Sequence, residues 1–419
     1  MYRKTVLDNG IRVVTESLPY FPAASLGVWW KTGSRHEDDA TAGISHFIEH
    51  MIFKGTKRRT AHDIAREIDA VGGVLNAFTG KEYTCLYARV LKQDIDLALD
   101  VLSDMCLHST FDKDDIEREK HVVVQEIKMI EDNPEEYLFD LFNADYYKGN
   151  ALGLPVLGFE ETVEGFTRDQ LFRHYTHFHG PRSLIFTAVG RIDHDAIVRK
   201  VETLFSGYDD DGELPPPFVR PKGIPDIYVY EKDLEHTYLC LGTDGVSQID
   251  ERRYGMYALN AVVGGSMSSH LFQEIREKRG LVYNVLSYLN CFQDVGDFGI
   301  STSSSEESLE EVVSLIREEA QKLRNEGIQA SELAFSKEHI KGNFFISLEG
   351  SEARMGRLAK NEIYFGCYEP IKETLKKIDR VQKAEVDEMS DLVFGNPETM
   401  AIAVLGPVDK ARIERLWKS

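Results

Sequence analysis

Cysteine is scarce in this sequence, and its spacing does not indicate a set of disulfide bonds. The five cysteines are scattered along the chain and form no C-x-x-C pair: Cys85, Cys106, Cys240, Cys291 and Cys367. An odd number cannot be bridged completely within one chain, and scattered thiols are typical of a reducing compartment. We therefore interpret the cysteines as small core residues and expect a cytoplasmic protein.

Long hydrophobic runs are missing as well. No window approaches the roughly 20 apolar residues that a membrane-spanning helix needs. The N-terminal residues follow a strand-and-turn pattern and lack the apolar segment of about 7–15 residues that marks a secretory signal. A membrane is therefore not expected among the partners of this protein.

Positive charge is in short supply. The chain has 49 Lys and Arg against 70 Asp and Glu, which gives a formal net charge of −21. A phosphate-binding surface needs clustered basic residues, so nucleic acid is not an expected partner. Solubility is the simplest explanation of the acidic excess, while a cationic peptide or another subunit stays open as a partner.

The chain is long enough for two domains, and its composition indicates where they meet. At about 100–200 residues per domain, 419 residues predict two units with sizeable cores. Near the midpoint, acidic turn residues at 209–211 give way to a proline-rich extended stretch. We predict a first domain over 1–213, a linker over 214–227 and a second domain over 228–419.

The two halves show weak similarity to each other. Each ends with an apolar strand that closes on Gly, two further residues and Asp, and the glycines Gly190 and Gly406 are 216 positions apart. Near the start of each half a strand leads into an apolar helix, where Gly43 matches Gly255 at a separation of 212. Two similar separations predict a duplicated unit with small insertions.

Each half reads as strands first and last with long helices between them. Periodic runs predict helices over Asp94–Leu107, Lys113–Glu131 and Ser308–Arg324. Strict alternation of strand and helix is missing and no glycine fingerprint follows a strand, which disfavours a dinucleotide-binding fold. We predict two homologous α+β domains, each a mainly antiparallel sheet with helices packed on one face.

The first half contains the pentapeptide His46-Phe47-Ile48-Glu49-His50. Positions four apart lie on one face of a helix, so His46 and His50 can point both imidazoles at one metal ion. Glu49 lies beside them and is suited to act as a base. The alternative is a pair of helix-face histidines that neighbouring groups satisfy.

Two imidazoles do not complete a catalytic zinc site, which usually has three protein ligands and one open position. A second predicted helix offers Glu119 and Glu126, which are seven residues apart and so lie nearly on one face. By spacing alone either carboxylate is a candidate for the third ligand.

The pentapeptide matches the inverted zinc signature H-x-x-E-H. With its surroundings it resembles the pitrilysin-type metallopeptidases, most closely the mitochondrial processing peptidases and their bacterial relatives. In that family the third ligand is a Glu about 76 positions after the second His, and Glu126 lies 76 positions after His50. The resemblance implies one Zn²⁺ per chain held by His46, His50 and Glu126, with Glu49 as general base and Glu119 as an accessory carboxylate.

The resemblance extends to segments that would contact substrate. The stretch around Asn76 and Ala77 is similar to the family's edge strand, which binds an extended peptide through backbone hydrogen bonds. In the second half, Arg276 and Tyr283 match an Arg and a Tyr, seven apart, that approach the substrate. The alternatives are turn and strand residues for the first pair, an exposed helix end for Arg276 and a core position for Tyr283.

Two further observations complete the assignment. At a separation of 212, His46, Glu49 and His50 fall on Ala258, Ala261 and Val262, and at 217 Glu126 falls on Asn343, so the second copy lacks ligands. A second histidine cluster has no common zinc spacing and is interpreted as structural or surface histidines: His174, His177 and His179.

The resemblance implies a zinc endopeptidase that hydrolyses short or unfolded peptides inside a chamber. In that family the second half faces a catalytic half across the chamber, so a homodimer is expected. One alternative is a non-catalytic subunit that builds a chamber for a partner. Another is a peptide-binding module with a structural zinc, which would need a fourth protein ligand that the sequence does not offer near the motif.

Overall fold

The computed structural model describes residues 1–208 and 217–418 and groups them into two compact units. The first unit comprises Met1–Met129, Leu154–Phe218 and Ser347–Tyr368, and the second comprises Ile130–Gly153, Val219–Ile346 and Glu369–Ser419. Residues 209–213 of the predicted first domain and residues 214–216 of the predicted linker lie outside the described residues. Each compact unit draws one short segment from the opposite half of the chain.

The first half of the chain contributes six strands and eight α-helices to the described structure. In chain order these are β1 Tyr2–Val6, β2 Arg12–Ser17, β3 Ala23–Trp30, α1 Ile44–Ile52, α2 Ala61–Asp69, β4 Val74–Thr79, β5 Thr84–Leu91, α3 Ile95–His108, α4 Lys113–Glu131, α5 Pro134–Tyr146, α6 Glu160–Gly165, α7 Arg168–Phe178, β6 Leu184–Gly190 and α8 His194–Leu204.

The second half contributes five strands and seven α-helices among the described residues. These are β7 Ile227–Glu231, β8 Thr237–Asp244, α9 Arg253–Val263, β9 Val282–Cys291, β10 Gly296–Ser304, α10 Leu309–Glu326, α11 Ala330–Ser347, α12 Ser351–Phe365, α13 Ile371–Arg380, α14 Lys383–Phe394, β11 Ala401–Gly406 and α15 Lys410–Lys418. A π-helix at Phe272–Glu277 precedes β9.

The two sheets have the same topology. The first has the order β1-β2-β6-β3-β5-β4 and the second has the order β7-β11-β8-β10-β9. Apart from the additional β1, the strands of the two sheets correspond one to one. Among the described strands, each sheet has a single parallel pair, which is β2 with β6 in the first sheet and β7 with β11 in the second, and all its other pairs are antiparallel. The prediction of two homologous, mainly antiparallel α+β domains is therefore confirmed.

Helices cover both faces of each sheet, so the expectation of helices on one face is incomplete. On one face of the first sheet, Trp29 and Ile185 pack against Met355 and Leu358 of α12. The physical reason lies in the central strands: all seven residues of β6 and all six of β11 are buried, so neither face of these strands can be left to solvent.

The second sheet is covered in the corresponding way. Phe142 and Tyr146 of α5 pack on it against Cys240, Ala403 and Leu405. Helix α5 follows α4 in the first half as α12 follows α11 in the second. The duplicated units have therefore exchanged equivalent helices, each of which joins the sheet of the other half.

The glycine match between the halves does not extend to backbone conformation. Gly43 precedes α1 in the left-handed region with φ of 91°, and a Cβ there would lie 2.4 Å from the carbonyl oxygen of Leu157. Gly255 instead lies inside α9. Of these two positions, Gly43 is the one whose backbone conformation requires glycine. It lies directly before the helix that carries the zinc-binding signature.

Among the described residues, no helix is both long enough and apolar enough to cross a membrane.

Candidate metal centre

Helix α1 presents a polar face and an apolar face. Ile44, Phe47, Ile48, Met51 and Ile52 are buried on the apolar face, and the three polar residues of the signature occupy the other face at helical spacing. Burial of the apolar face anchors the helix against the first sheet. The imidazoles of His46 and His50 consequently project from a rigid element.

The start of α1 is capped by a carboxylate from the preceding loop. Gly43 has no side chain to cap the helix, and Glu37 takes this role: its Oε2 accepts a hydrogen bond from the backbone N–H of Gly43 at 2.7 Å and its Oε1 accepts one from Ser45 at 2.8 Å. Burial raises the pKa of Glu37 to about 7, against these hydrogen bonds. Glu37 is a site-supporting residue that the sequence analysis missed.

Helix α4 carries both candidate carboxylates. Asp112 caps its start by accepting the backbone N–H of Asp114 at 2.9 Å. Glu119 and Glu126 are two helical turns apart and both face α1, where Glu119 contacts His50 and Glu126 contacts both histidines. The two candidates for the third ligand, Glu119 and Glu126, therefore differ in position: only Glu126 contacts both histidines.

Three side chains converge on one point. The Oε2 atom of Glu126 lies 3.7 Å from Nε2 of His46 and 3.4 Å from Nε2 of His50. One ligand atom from each of the three residues lies within 4.8 Å of the other two, and in the part of the chain that the structure describes no other group of metal-binding side chains converges in this way.

The donor set fits zinc. Ligands about 2.0–2.1 Å from a tetrahedral zinc ion lie about 3.4 Å from one another, close to the distances from Glu126 to the two histidines. Two imidazole nitrogens and one carboxylate oxygen leave one tetrahedral position open, as in catalytic sites. The three residues are therefore suited to hold a zinc ion that keeps one open coordination position.

The two imidazoles differ in their surroundings. Burial, with a smaller effect of His50, lowers the pKa of His46 to about 3, which keeps that ring neutral. Burial also lowers the pKa of His50, but the hydrogen bond to Glu119 and the charges of Glu126 and Glu119 outweigh it and raise the pKa overall. At His50 the contact with Glu119 engages Nδ1 and leaves Nε2 directed at the cluster.

Glu49 lies beside the cluster with its own partner. The hydroxyl of Thr79, in β4, donates a hydrogen bond of 2.6 Å to Oε2 of Glu49. Burial raises the pKa of Glu49, and the Thr79 hydrogen bond and His50 oppose that rise. A carboxylate with a raised pKa is better matched to proton transfer near neutral pH than an exposed one.

Glu119 is not a solvated helix-face residue. Its side chain is only 6% exposed, and its Oε2 lies 3.0 Å from Nδ1 of His50. Its other oxygen, Oε1, lies 2.6 Å from the ammonium of Lys54. Lys54 and Thr79 are the other two site residues that the sequence analysis missed, because each reaches its partner over a long separation in the chain.

Asn76 and Ala77 lie on β4, which is one of the two edge strands of the first sheet among the described residues. Alternate residues of β4 face opposite sides, so Ala77 packs towards the core that includes α1, as Thr79 does, while Asn76 is exposed on the other face. The edge strand thus runs directly alongside the helix that carries Glu49.

Arg276 and Tyr283 belong to the second unit and lie close to each other there. The guanidinium carbon of Arg276 lies 4.6 Å from the ring centre of Phe272 and 5.7 Å from that of Tyr283. Tyr283 is 87% exposed, which excludes the alternative of a core residue. Arg276 is partly buried, and its guanidinium Nη1 lies 3.0 Å from Oε1 of Glu277. The pair therefore presents an exposed phenol ring beside a partly buried cation.

The other histidines do not converge. His174 is buried with Nε2 3.5 Å from the hydroxyl of Ser45, His179 is fully buried with no hydrogen bond to its ring among the described residues, and His177 is exposed. In the second half, the positions that match the signature are the buried apolar residues Ala258, Ala261 and Val262 of α9.

Known families and relatives match the chain over most of its length. Residues 12–160 match the family model described as insulinase (peptidase family M16), and residues 165–339 match the one described as peptidase M16 inactive domain. An uncharacterised zinc protease of Bacillus subtilis, YmxG, is 39% identical over 407 residues, which cover 97% of this chain and 98% of that protein. One from Streptomyces coelicolor is 37% identical over 424 residues, covering 99% and 91%.

Solved structures share the fold. A protease from Helicobacter pylori superposes with a TM-score of 0.89 at 22% identity, covering 97% of this chain and 99% of that one. A peptidase M16 inactive domain from Pseudomonas fluorescens superposes with a TM-score of 0.89 at 19% identity, covering 98% of both chains. With relatives above 30% identity along nearly its whole length, the chain belongs to peptidase family M16.

Proposed function

We propose that this chain is a zinc-dependent endopeptidase of the processing-peptidase type that hydrolyses short or unfolded peptides. The observation that carries the proposal is the convergence of His46, His50 and Glu126 within 4.8 Å of one another. Glu49 lies next to this cluster, on the same helix, with a hydrogen bond that orients its carboxylate. The relatives named zinc proteases support the same chemistry.

In this proposal His46, His50 and Glu126 hold one zinc ion per chain. A zinc ion held there would lower the pKa of water towards about 7 and would polarise the carbonyl of the bond to be cleaved. Glu49 takes a proton from the attacking water and passes it to the leaving amine. Thr79 holds the Glu49 carboxylate in position, and Glu119 holds the ring of His50.

The edge of β4 is proposed to bind the substrate. An extended peptide can add to a free strand edge through backbone hydrogen bonds, and β4 is an edge strand within the described sheet. Asn76 and Ala77 lie in the middle of β4 and Thr79 ends it at the Glu49 contact. A peptide aligned on this edge would therefore pass along the side of the helix that carries the base.

Arg276 and Tyr283 are proposed to bind the substrate. Arg276 offers a cation and Tyr283 an exposed hydroxyl, and both groups suit a peptide carbonyl or the oxyanion that develops during hydrolysis. The proposal includes a homodimer that encloses the peptide in a chamber, acting in the cytoplasm. Such an enclosure would limit substrates to short or unfolded peptides.

The alternative is a non-catalytic, chamber-forming subunit. The presence of all three ligands together with Glu49 and its Thr79 partner favours the enzyme. A purely structural zinc would need a fourth protein ligand, and within the described residues no fourth side chain joins the three.

The test combines metal analysis with peptide hydrolysis. The purified chain should contain one zinc per chain and cleave members of a mixed set of quenched peptides. Glu49→Gln should keep the zinc and lose the activity, whereas Glu126→Gln should lose both. A wild-type chain that binds zinc and leaves every peptide intact, or a Glu49→Gln variant that stays fully active, would overturn the enzyme assignment.

A further inference from the structure

Lys54 lies two residues beyond the end of α1 and reaches across to α4. Its ammonium Nζ lies 2.6 Å from Oε1 of Glu119. The other oxygen of the same carboxylate, Oε2, lies 3.0 Å from Nδ1 of His50. The Glu119 carboxylate therefore connects Lys54 to His50, whose other ring nitrogen, Nε2, lies 3.4 Å from Oε2 of Glu126.

Burial makes these two contacts important for Glu119. The Glu119 side chain is 6% exposed, and a buried carboxylate is costly unless each oxygen has a partner. Among the described residues, Lys54 and His50 are the two side chains that contact it, one at each oxygen. Without Lys54, one oxygen would lose its partner and the carboxylate could rotate away from His50.

The charges near the site point the same way. Glu49, Glu119 and Glu126 place three carboxylates around the two histidines. In the described part of the chain, Lys54 is the one lysine or arginine that forms an ion pair with any of the three. A divalent cation together with Lys54 would balance the three negative charges, whereas the cation alone would not.

We propose that Lys54 is a positioning residue of the metal centre. By holding Glu119, it keeps His50 in the tautomer and ring orientation in which Nε2 is available to the metal ion. This inference rests on the metal site of the proposed function. It adds a residue that touches neither metal nor substrate and acts through Glu119.

A simpler role for Lys54 would be to stabilise the end of α1. A cation near the C-terminus of a helix interacts favourably with the helix dipole. That role would change the stability of the protein, but it would leave zinc affinity unchanged and would not depend on Glu119. Zinc affinity measured in combined variants therefore separates the two roles.

The experiment measures zinc affinity of the full chain by competition with a chelator. The variants are Lys54→Met, Lys54→Arg, Glu119→Gln and the double variant, and the control is Lys57→Met, because Lys57 is exposed and its side chain has no contact among the described residues. Loss of an outer partner of a metal ligand typically weakens metal binding about 10–100-fold. We expect that loss in Glu119→Gln and a loss of about tenfold in Lys54→Met, near the lower limit of the same range.

The remaining variants make the inference refutable. Lys54→Arg should bind zinc nearly as the wild type does, and the double variant should bind no more weakly than Glu119→Gln alone. Zinc binding by Lys54→Met within about twofold of the wild type, or a double variant in which the two losses multiply, would overturn the inference. Lys54→Gln serves as a second neutral variant if thermal unfolding of the metal-free chain shows that Lys54→Met does not fold.

The inference and the proposed function can fail separately. If the wild-type chain cleaves peptides and Lys54→Met binds zinc normally, only the role of Lys54 is wrong. If the wild-type chain cleaves no peptide, the enzyme assignment fails, and the zinc affinities still decide whether Lys54 positions His50.

Discussion

Glu37→Ala should destabilise the first unit by removing the cap of the signature helix. The carboxylate accepts backbone N–H groups of Gly43 and Ser45 at 2.7 and 2.8 Å, and the residue is 6% exposed. These N–H groups belong to the first turn, which has no acceptors within the helix itself. Alanine would leave both groups buried without a partner.

The expected size follows from these contacts. Hydrogen bonds to a charged group contribute about 1.5–3 kcal/mol each, and removal of a helix cap costs about 0.5–2 kcal/mol. The ionised carboxylate also loses hydration on folding, which is why burial raises the pKa of Glu37 to about 7. This loss of hydration offsets part of the stabilisation that the hydrogen bonds contribute. We expect a loss of about 2–4 kcal/mol for Glu37→Ala, and about half of that for Glu37→Gln, whose single carbonyl oxygen can keep one bond.

The assay is urea unfolding of the metal-free chain at about pH 8, where the carboxylate is ionised. Unfolding of the first unit can be assigned as the transition that zinc shifts to higher urea concentration. The matched control is Glu164→Ala, because Glu164 is exposed in the same unit and has no side-chain contact among the described residues. A Glu37→Ala variant within about 0.5 kcal/mol of that control would refute the capping role.

Three further outcomes are expected. Thr79→Val should lower kcat about tenfold with zinc content unchanged, because it removes one hydrogen bond that orients the Glu49 carboxylate. Peptide hydrolysis and metal analysis check this prediction, and a normal kcat would contradict it. His270 contacts Glu332 at 2.7 Å and Glu319 at 3.2 Å, and the interactions with these two carboxylates, Glu319 first, raise the pKa of His270 against burial. The folded state therefore holds the proton on His270 more tightly than the unfolded state does. The stability advantage of the wild type over His270→Gln should be full below about pH 6.5 and should shrink as the pH rises above that value. Urea unfolding over this pH range checks the sign, and an advantage that grows with pH would contradict the prediction. Adding zinc at about 100 times its dissociation constant should stabilise the metal-free chain by about 2.7 kcal/mol, and equal stability with and without zinc would show that the folded site does not bind it.

Local patterns in the sequence predicted the elements that carry the site. The helix predicted over Lys113–Glu131 has the same bounds in the structure, and the one predicted over Asp94–Leu107 is displaced by one residue at each end. Such runs are readable because the spacing of apolar residues reflects one buried face. The same rule predicts that His46 and His50 share a face.

The supporting shell of the site could not be read in this way. The contacts from Lys54 to Glu119 and from Thr79 to Glu49 join residues 65 and 30 positions apart on different elements. Periodicity reports which face of a helix is buried, and it carries no information about which distant side chain completes a buried carboxylate. Only Glu37 left a local signal, as an acidic residue shortly before the start of a helix.

The exchange of α5 and α12 between the two units has a related cause. Both helices show an apolar face, and a pattern of this kind predicts burial without naming the surface that provides it. The proline-rich stretch near the midpoint marks where one copy of the duplicated sequence ends. From the sequence alone it therefore predicts two domains that are each continuous in the chain, without an exchange of helices.

The sheets nevertheless need cover on their second faces, because their central strands are buried on both sides. In the first unit α12 supplies four buried residues to that face, namely Met355, Leu358, Ala359 and Ile363. Each large apolar side chain among them contributes about 1.5–3 kcal/mol when buried. A chain cut within the linker would leave that face exposed in the first half and α5 without its sheet. Duplication therefore explains the shared topology, while the exchanged helices make each compact unit depend on both copies.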